Sequence, residues 1–353
     1  MSGPLAGLRV LEMQAIGPVP WAGMMLADMG ADVLRIDRPD APEASLAHRE
    51  RRFEFTARGK RSMPADLKTA AGRDAVLEEA AQADVLLEGL RPGVMERLGL
   101  GPDECMKRNP RLVYGRMTGW GQTGPLAQAV GHDINYIARS GALHAIGPAD
   151  GPPSVPLNLV ADFGAGGMLL LSGVLAALFE TRSSGQGQVV DAAMVDGVLA
   201  MMAPTLGRWQ AGQWQDRRES NLLDGGAPFY RTYATSDGGA VAVGAIEPRF
   251  YAALLRGMGL DATALPGQHE RSQWPLMRER FAAVFASRTR EHWEQVFEGT
   301  DACVSPVLSL DELAGSPHMA ERGSFVGIDG EMPPAPGPRF SRTRSAIHRR
   351  EGG

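Results

Sequence analysis

The chain has 353 residues, more than one small core usually holds, so two domains are expected. Its 44% hydrophobic and 22% charged residues are those of a folded globular protein. The net charge of −5 argues against a nucleic-acid binder while leaving room for a local basic pocket. Two cysteines, Cys105 and Cys303, without CxxC or metal-ligand spacing, argue against a disulfide scaffold or structural zinc and fit a reducing, cytoplasmic setting. The first ten residues lack the charged start and apolar run of a signal peptide. The longest apolar stretch, around Gly167 to Phe179, is short for a bilayer and reads as a buried helix, so no membrane role is expected.

In chain order, Leu8–Met13 reads as a strand. Pro18 and Pro20 suit the opening of a helix that runs through Trp21 to Met29 and ends at Gly30, and Ala31–Ile36 reads as a second strand. Gly72–Ala83 is helical, Val85–Glu88 a strand, Pro92–Leu98 helical and Leu112–Arg116 a strand. Such alternation predicts an open parallel α/β sheet, with ligands beyond the carboxyl ends of its strands at Glu12, Asp37–Arg38, Glu88–Arg91 and Met117–Gly124. A long helix follows Gly164 to about Arg182, then a turn at Ser183–Gly187 and a helix from about Asp191. Residues 210–228 read as a linker. Phe229–Thr235 and Ala240–Ala245 form a hairpin around Ser236–Gly239, followed by helices Arg249–Met258, Trp274–Ser287 and Arg290–Glu298. The divisions are thus 1–209 for a large domain, completed by 325–353, and 229–324 for a small α+β domain.

Several groups could carry chemistry. Gly119–Gly124 matches GxGxxG in letters, but Pro125 follows at once where a helix should open, so a tight loop with backbone close to a ligand is the better reading. The basic stretches His48–Arg52 and Arg58–Arg61 are either solvated loops or, with Arg35, Arg38, Arg91 and Arg97 near strand ends, a site for a phosphorylated ligand. His132 stands in a Gly-led loop and can exchange protons near neutrality. Asp162 precedes a helix and reads as its N-cap, where free N–H groups could also stabilise developing negative charge. The other histidines have no ligand spacing, no metal site is expected, and Cys303 reads as structural.

The run GWGQTGP…GHDINYIA…DFGAGGMLLLSGVLAAL resembles the α-methylacyl-CoA racemases of the family III CoA-transferase (CaiB/BaiF) superfamily. The segments GLRVLEM, LADMGADVLRIDRP, GKRS, ADLK, ADVLLEGLRPGVMERLGLGP, SSGQGQVVDAAMVDG, LDGGAPFY, VAVGAIEPRFY, AERGSF and PRFSRT extend the likeness over almost the whole chain. The resemblance implies a Rossmann-like large domain with a smaller α+β domain, two chains interlocked as a homodimer, and a site shared between subunits. It implies an acyl-CoA thioester as substrate, with CoA arriving on the substrate and no separate cofactor. His132 and Asp162 match the acid/base residues, and Glu247 matches a carboxylate that reaches the histidine from the partner subunit. Arg38, Ala65, Asp66, Leu67, Lys68, Gly89, Leu90, Arg91, Arg97, Gly131, Asp133, Ile134, Asn135 and Tyr136 match positions lining the CoA and acyl pocket.

The implied reaction inverts the carbon beside the thioester carbonyl, which needs an acid and a base on opposite faces. The enolate oxygen would be met by the N–H groups of Asp133 and of the Asp162 helix start. The alternatives are a CoA-transferase that uses Asp162 as nucleophile, and a non-catalytic acyl-CoA-binding protein. The histidine at position 132 favours the racemase.

Overall fold

The computed structural model describes residues 2–39, 54–328 and 330–348. Two compact units are defined by their contacts. The first comprises Met1–Ser140, Pro156–Met202 and His318–Gly353, and the second Gly141–Val155 and Ala203–Pro317. Residues 141–155 therefore group with the second unit, and the boundary after Met202 falls inside a helix rather than in a loop at 210–228.

The first unit is built on six strands, β1 (Arg9–Met13), β2 (Asp32–Asp37), β3 (Lys60–Pro64), β4 (Val85–Glu88), β5 (Val113–Thr118) and β6 (Val189–Ala193), in the order β3-β2-β1-β4-β5-β6. Every neighbouring pair is parallel. β4 and β5 are buried at every position, the pattern of a sheet covered on both faces. The helices α1 (Pro18–Asp28), α2 (Ala70–Ala80), α3 (Val94–Arg97) and α4 (Pro102–Arg108) follow in turn. α1 opens on Pro18, whose missing N–H costs nothing in a first turn. Leu11, Leu34, Val76, Leu86, Met95 and Tyr114 form part of one continuous core.

Two strands differ from the sequence reading. β3 occupies the stretch read as a basic loop, and β6 occupies residues read as the start of a helix; α7 (Met194–Gln210) begins only afterwards. Both are edge strands with exposed, polar positions, so neither shows the apolar run of a central strand. The long apolar helix also differs. It runs unbroken over 26 residues, Leu159–Ser184, as a π-helical segment Leu159–Gly167 continued by α6 (Met168–Ser184). That is long and apolar enough to span a bilayer, and only 39% of its most apolar window is buried. One face, with Leu170, Leu171 and Val174, is buried, whereas Met168 and Phe179 are exposed.

An ion pair is sealed into this unit. Lys60 Nζ lies 2.9 and 2.6 Å from the two carboxylate oxygens of Glu12 and donates to the Pro20 carbonyl at 2.8 Å. Glu12 is fully buried and Lys60 7% exposed. Glu12 thus faces the protein interior, not a ligand beyond β1. Gly23 makes room for the pair, since a Cβ there would stand 1.7 Å from Glu12 Oε2. The carboxyl-terminal segment returns to the same unit. Arg58 bonds the Pro334 carbonyl at 2.6 Å, and the Ala346 N–H donates to the Asp28 carbonyl at 3.0 Å.

The second unit holds the hairpin β7 (Tyr230–Ala234) and β8 (Ala240–Gly244), extended by antiparallel β9 (Val304–Pro306). With it come α8 (Pro248–Gly257), α9 (Trp274–Phe285) and α10 (Arg290–Phe297) around an aromatic core of Phe229, Tyr233, Tyr251, Trp274, Phe281, Phe285, Trp293 and Phe297. The 210–228 stretch is no slack linker. Asn221 is 1% exposed and bonds the backbone of Gln215 and Arg217, while Arg218 donates to the carbonyls of His144, Pro148 and Gly151.

Removing one member of a buried ion pair strands the other charge. Glu12→Leu is therefore expected to cost about 3–5 kcal/mol, and the double variant Glu12→Leu/Lys60→Met to recover much of it. Equilibrium urea unfolding of the two proteins measures both quantities, and equal losses would contradict the assignment.

Candidate active site

Because all six strands run one way, their carboxyl ends lie along one edge, and the sequence-predicted residues fall there. Arg38 follows β2, Ala65–Lys68 follow β3, Gly89–Arg91 follow β4, and Gly119–Gly124 follow β5. β1 and β4 are neighbours at the point where the strand order reverses, the usual position of a ligand crevice. The loops are braced from below. Ala65 is buried and its N–H donates to the Asp37 carbonyl at 2.9 Å; Asp66 Oδ1 accepts from the Lys68 N–H at 3.0 Å. Gly89 passes so close to α1 that a Cβ would stand 2.9 Å from Val19 Cγ2. The Leu90 N–H donates to Glu88 Oε2 at 2.7 Å. Arg116 holds the other oxygen of Glu88 at 2.9 Å and Glu96 at 2.7 Å.

The cations of the sequence reading divide into two sets. Arg35 pairs with Asp37 and Glu54, Arg58 with Asp28, Lys60 with Glu12 and Arg61 with Asp32. These are spent on protein carboxylates, which corrects the expectation that the Arg58–Arg61 stretch serves a phosphorylated ligand. His48–Arg52 lies outside the described residues. Arg38, Lys68, Arg91 and Arg97 are exposed, and no protein carboxylate pairs with them among the described residues.

The Gly119–Gly124 loop owes its glycines to packing and turn geometry. A Cβ at Gly119 would lie 2.0 Å from the Tyr136 ring, and one at Gly131 2.8 Å from it; Gly121 and Gly124 adopt φ of 91° and 93°. The close backbone approach is thus to a protein ring rather than to a ligand. Tyr136 stacks edge-on against Trp120, ring centres 4.8 Å apart, and its hydroxyl donates to the Gly131 carbonyl at 2.5 Å.

His132 caps α5 (Asp133–Arg139). Its N–H donates to Asn135 Oδ1 at 3.0 Å, and its ring is exposed. Ile134 and Asn135 are exposed beside it, on the first turn of the helix. Asp133 turns inward, 4% exposed. Its Oδ2 accepts from the N–H of Ala161 at 2.6 Å and of Asp162 at 2.8 Å. Asp162 is therefore not an N-cap. It sits in the first turn of the π-helical segment, whose capping residue is Asn158, and Asp133 satisfies two of the free N–H groups at that end. The Asp162 N–H is consequently unavailable to an enolate oxygen, contrary to the sequence expectation. The Asp133 N–H, at the first position of α5, has no acceptor among the described residues.

The Asp162 carboxyl is half-buried and accepts from Asn158 Nδ2 at 3.0 Å. It abuts the β1–α1 turn: a Cβ at Gly17, whose φ is 71°, would stand 3.2 Å from Asp162 Oδ2. Burial raises its pKa above the ordinary 3.8. The Asn158 bond works against that rise, the Asp133 charge adds to it, and a charged His132 would lower it. The structure thus brings His132, Asp133 and Asp162 together at one edge of the first unit. Asn158 and the inward carboxylate of Asp133 were not legible in the sequence, because their partners are chosen by the fold; only the Asn-x-x-x-Asp spacing hints at the Asn158 bond.

Glu247 lies in the second unit. It caps α8, is exposed, and its carbonyl accepts from the Phe250 and Tyr251 N–H groups at 3.0 and 2.9 Å. Cys303, read as structural, is exposed at φ 51° just before β9. Its thiol pKa is raised by partial burial and by the nearby Glu247 charge.

A doubly covered parallel sheet with an exposed histidine, a half-buried carboxyl of raised pKa and exposed cations is the arrangement of an α/β enzyme that acts on a small molecule. The chain belongs to CoA-transferase family III, whose model it matches over residues 5–351. It is 48% identical to the α-methylacyl-CoA racemase of Mus musculus over 96% of this chain and 87% of that one. To the Homo sapiens α-methylacyl-CoA racemase it is 44% identical over the same shares. The crystal structure of Rv3272 from M. tuberculosis superposes with a TM-score of 0.81 at 28% identity, covering 98% of this chain and 95% of that one.

The raised Asp162 pKa has a stability consequence. Below 3.8 the group is protonated in both states. Above it the unfolded chain releases the proton first, so native stability falls as pH rises until the native pKa is passed. Asp162→Asn removes that penalty and keeps an acceptor for Asn158. The melting temperature of the variant minus that of the wild type should grow from near zero in acid to a plateau towards neutrality; a constant or shrinking gap would contradict the shift.

Proposed function

We propose that the protein is an α-methylacyl-CoA racemase, an isomerase that interconverts (2R)- and (2S)-2-methylacyl-CoA thioesters. The observation that carries this reading is the pairing of an exposed His132 with an Asp162 carboxyl held towards its neutral form. The 44–48% identity to racemases supports it. Neutral His132 takes the α-proton of one epimer while protonated Asp162 delivers a proton to the opposite face; the reverse reaction exchanges the roles. The Asp133 N–H meets the enolate oxygen, where a positioned donor acts most strongly in a water-poor site. Arg38, Lys68, Arg91 and Arg97 take the CoA phosphates, and the backbone of Ala65–Leu67 and Gly89–Leu90 lines the CoA channel. The chemistry uses two side chains and a backbone N–H, with CoA carried by the substrate and neither metal nor redox cofactor. The free state of both cysteines supports placement in the reducing cytoplasm.

A transferase would instead use the Asp162 carboxylate as its nucleophile. Solvent deuterium decides between the two. A racemase washes deuterium into the α-position of a 2-methylacyl-CoA with no second acyl acceptor present. His132→Ala and Asp162→Ala should each slow the exchange by about 10²–10⁴-fold. Arg91→Ala should raise KM for the thioester with little change in kcat. Transfer of CoA to a carboxylate without α-exchange would refute the reading.

The site works, in this proposal, as part of an interlocked homodimer, with Glu247 of one chain bonding His132 of the other. Supporting it, Leu157, Leu159, Met168, Phe179, Leu199 and Met201 are apolar and exposed within the first unit, surface that a partner chain would cover. Co-expressing His132→Ala chains with Glu247→Ala chains tests the sharing. A heterodimer then keeps one intact site and should recover about half the activity that each parent lacks. Failure to recover would place Glu247 on the same chain as its histidine.

A further inference from the structure

We propose that Asp133 is the positioning residue of the site: its side chain, following His132 directly in the chain, clamps the backbone of Asp162 and so sets the two proton-transfer groups against each other. The inference rests on the acid–base reading of His132 and Asp162 and adds a role for a carboxylate that this reading otherwise uses only through its backbone N–H.

The geometry carries it. Asp133 Oδ2 accepts two hydrogen bonds, from the N–H of Ala161 at 2.6 Å and of Asp162 at 2.8 Å. One oxygen accepting from two successive amides leaves the π-helical segment little freedom to rotate Asp162 away. At its other end the tie is equally short, since Asp133 is the first residue of α5 and His132 is its cap. One residue and two hydrogen bonds therefore separate the two groups structurally, although 29 residues separate Asp133 from Asp162 in sequence. A π-helical turn leaves more N–H groups open at its start than an α-helix does, and such turns recur at functional sites. Here a charged acceptor from another element occupies two of them.

The second oxygen supports the same assignment. Asp133 Oδ1 is buried with no hydrogen-bond partner among the described residues, and no cation pairs with the carboxylate there. Its negative charge is therefore left unneutralised beside Asp162, where it favours the protonated acid. The groups facing Asp162 are Asn158 from its own segment, His132, Asp133 and Tyr136 from α5, and the uncharged Gly17 from the β1–α1 turn. Asn158 and a charged His132 pull the acid one way and Asp133 the other. The clamp thus does two things with one carboxylate: it places the acid and it favours the acid's protonated form.

Three variants separate these effects. Asp133→Asn keeps an acceptor but removes the charge, so, in the direction in which Asp162 takes the α-proton, the acid limb of the kcat/KM–pH profile for α-deuterium exchange should move to lower pH. Asn158→Ala, an exchange at an exposed residue, should move that limb to higher pH. Asp133→Ala also removes the acceptor and should lower kcat by about 10²-fold, the cost of a misplaced group, with KM changing much less. Independently of activity, hydrogen–deuterium exchange mass spectrometry on the substrate-free proteins should show the 159–167 peptide exchanging at least about tenfold faster in Asp133→Ala, as expected when two buried N–H groups lose their acceptor. Unchanged exchange in that peptide, or Asp133→Asn and Asn158→Ala profiles superimposable on the wild type, would overturn the clamp. A wild-type protein that exchanges no α-proton while the peptide still responds would instead retire the racemase reading and leave the structural tie standing.

Discussion

A sheet whose strands all run the same way must gather every carboxyl end on one edge, and the site depends on that constraint. Parallel pairing requires a crossover after each strand, and each crossover begins at the same edge with a loop whose backbone is not consumed by the ladder. The order β3-β2-β1-β4-β5-β6 sets the loops after β1 and β4 side by side where the strand order reverses, the usual position of a ligand crevice. Arg38, Lys68 and Arg91 reach the same edge from three different crossovers, and α5 with His132 follows the fourth.

Holding those loops still takes charge buried beneath them. Lys60 ties β3 to β1 and to the first turns of α1 through Glu12 and the Pro20 carbonyl. Arg116 ties β5 to β4 and through Glu88 fixes the Leu90 N–H. Each pair is expensive to bury and is repaid only where its geometry is complete. That leaves a division of labour among the cations. Those under the sheet edge neutralise protein carboxylates, whereas Arg38, Lys68, Arg91 and Arg97 are exposed with no carboxylate partner among the described residues, and are proposed to hold the CoA phosphates.

The proposed acid–base pair follows the same logic at shorter range. Burial and the like charge of Asp133 both disfavour the Asp162 carboxylate and raise its pKa. The π-helical segment brings it against the Gly17 turn, where the absence of a side chain leaves room for the carboxyl. His132 meanwhile stays exposed at a helix cap, so the two groups sit in unlike surroundings, which is what the proposed proton donor and acceptor require.

Much of this was legible in the sequence because it is local. Apolar runs of four to six residues marked β1, β4 and β5, Pro and Gly marked where α1 begins and ends, and a Gly-led histidine and an Asp before an apolar helix marked the two residues to which the resemblance gives acid–base roles. What the sequence left undetermined is what depends on residues meeting across the fold. β3 and β6 lie at the sheet edges with little apolar signal of their own, and pairing alone makes them strands. Which arginines remain free was decided by Asp28, Asp32, Asp37 and Glu54, brought alongside by strand register and helix packing. Asp133, read from sequence as a pocket-lining neighbour of the histidine, became the acceptor for Asp162 only when α5 and the π-helical segment came together. Residue type and short-range spacing decide which groups can do chemistry; hydrogen bonds and charge act over a few ångströms, so tertiary contact decides which of them are left free to do it.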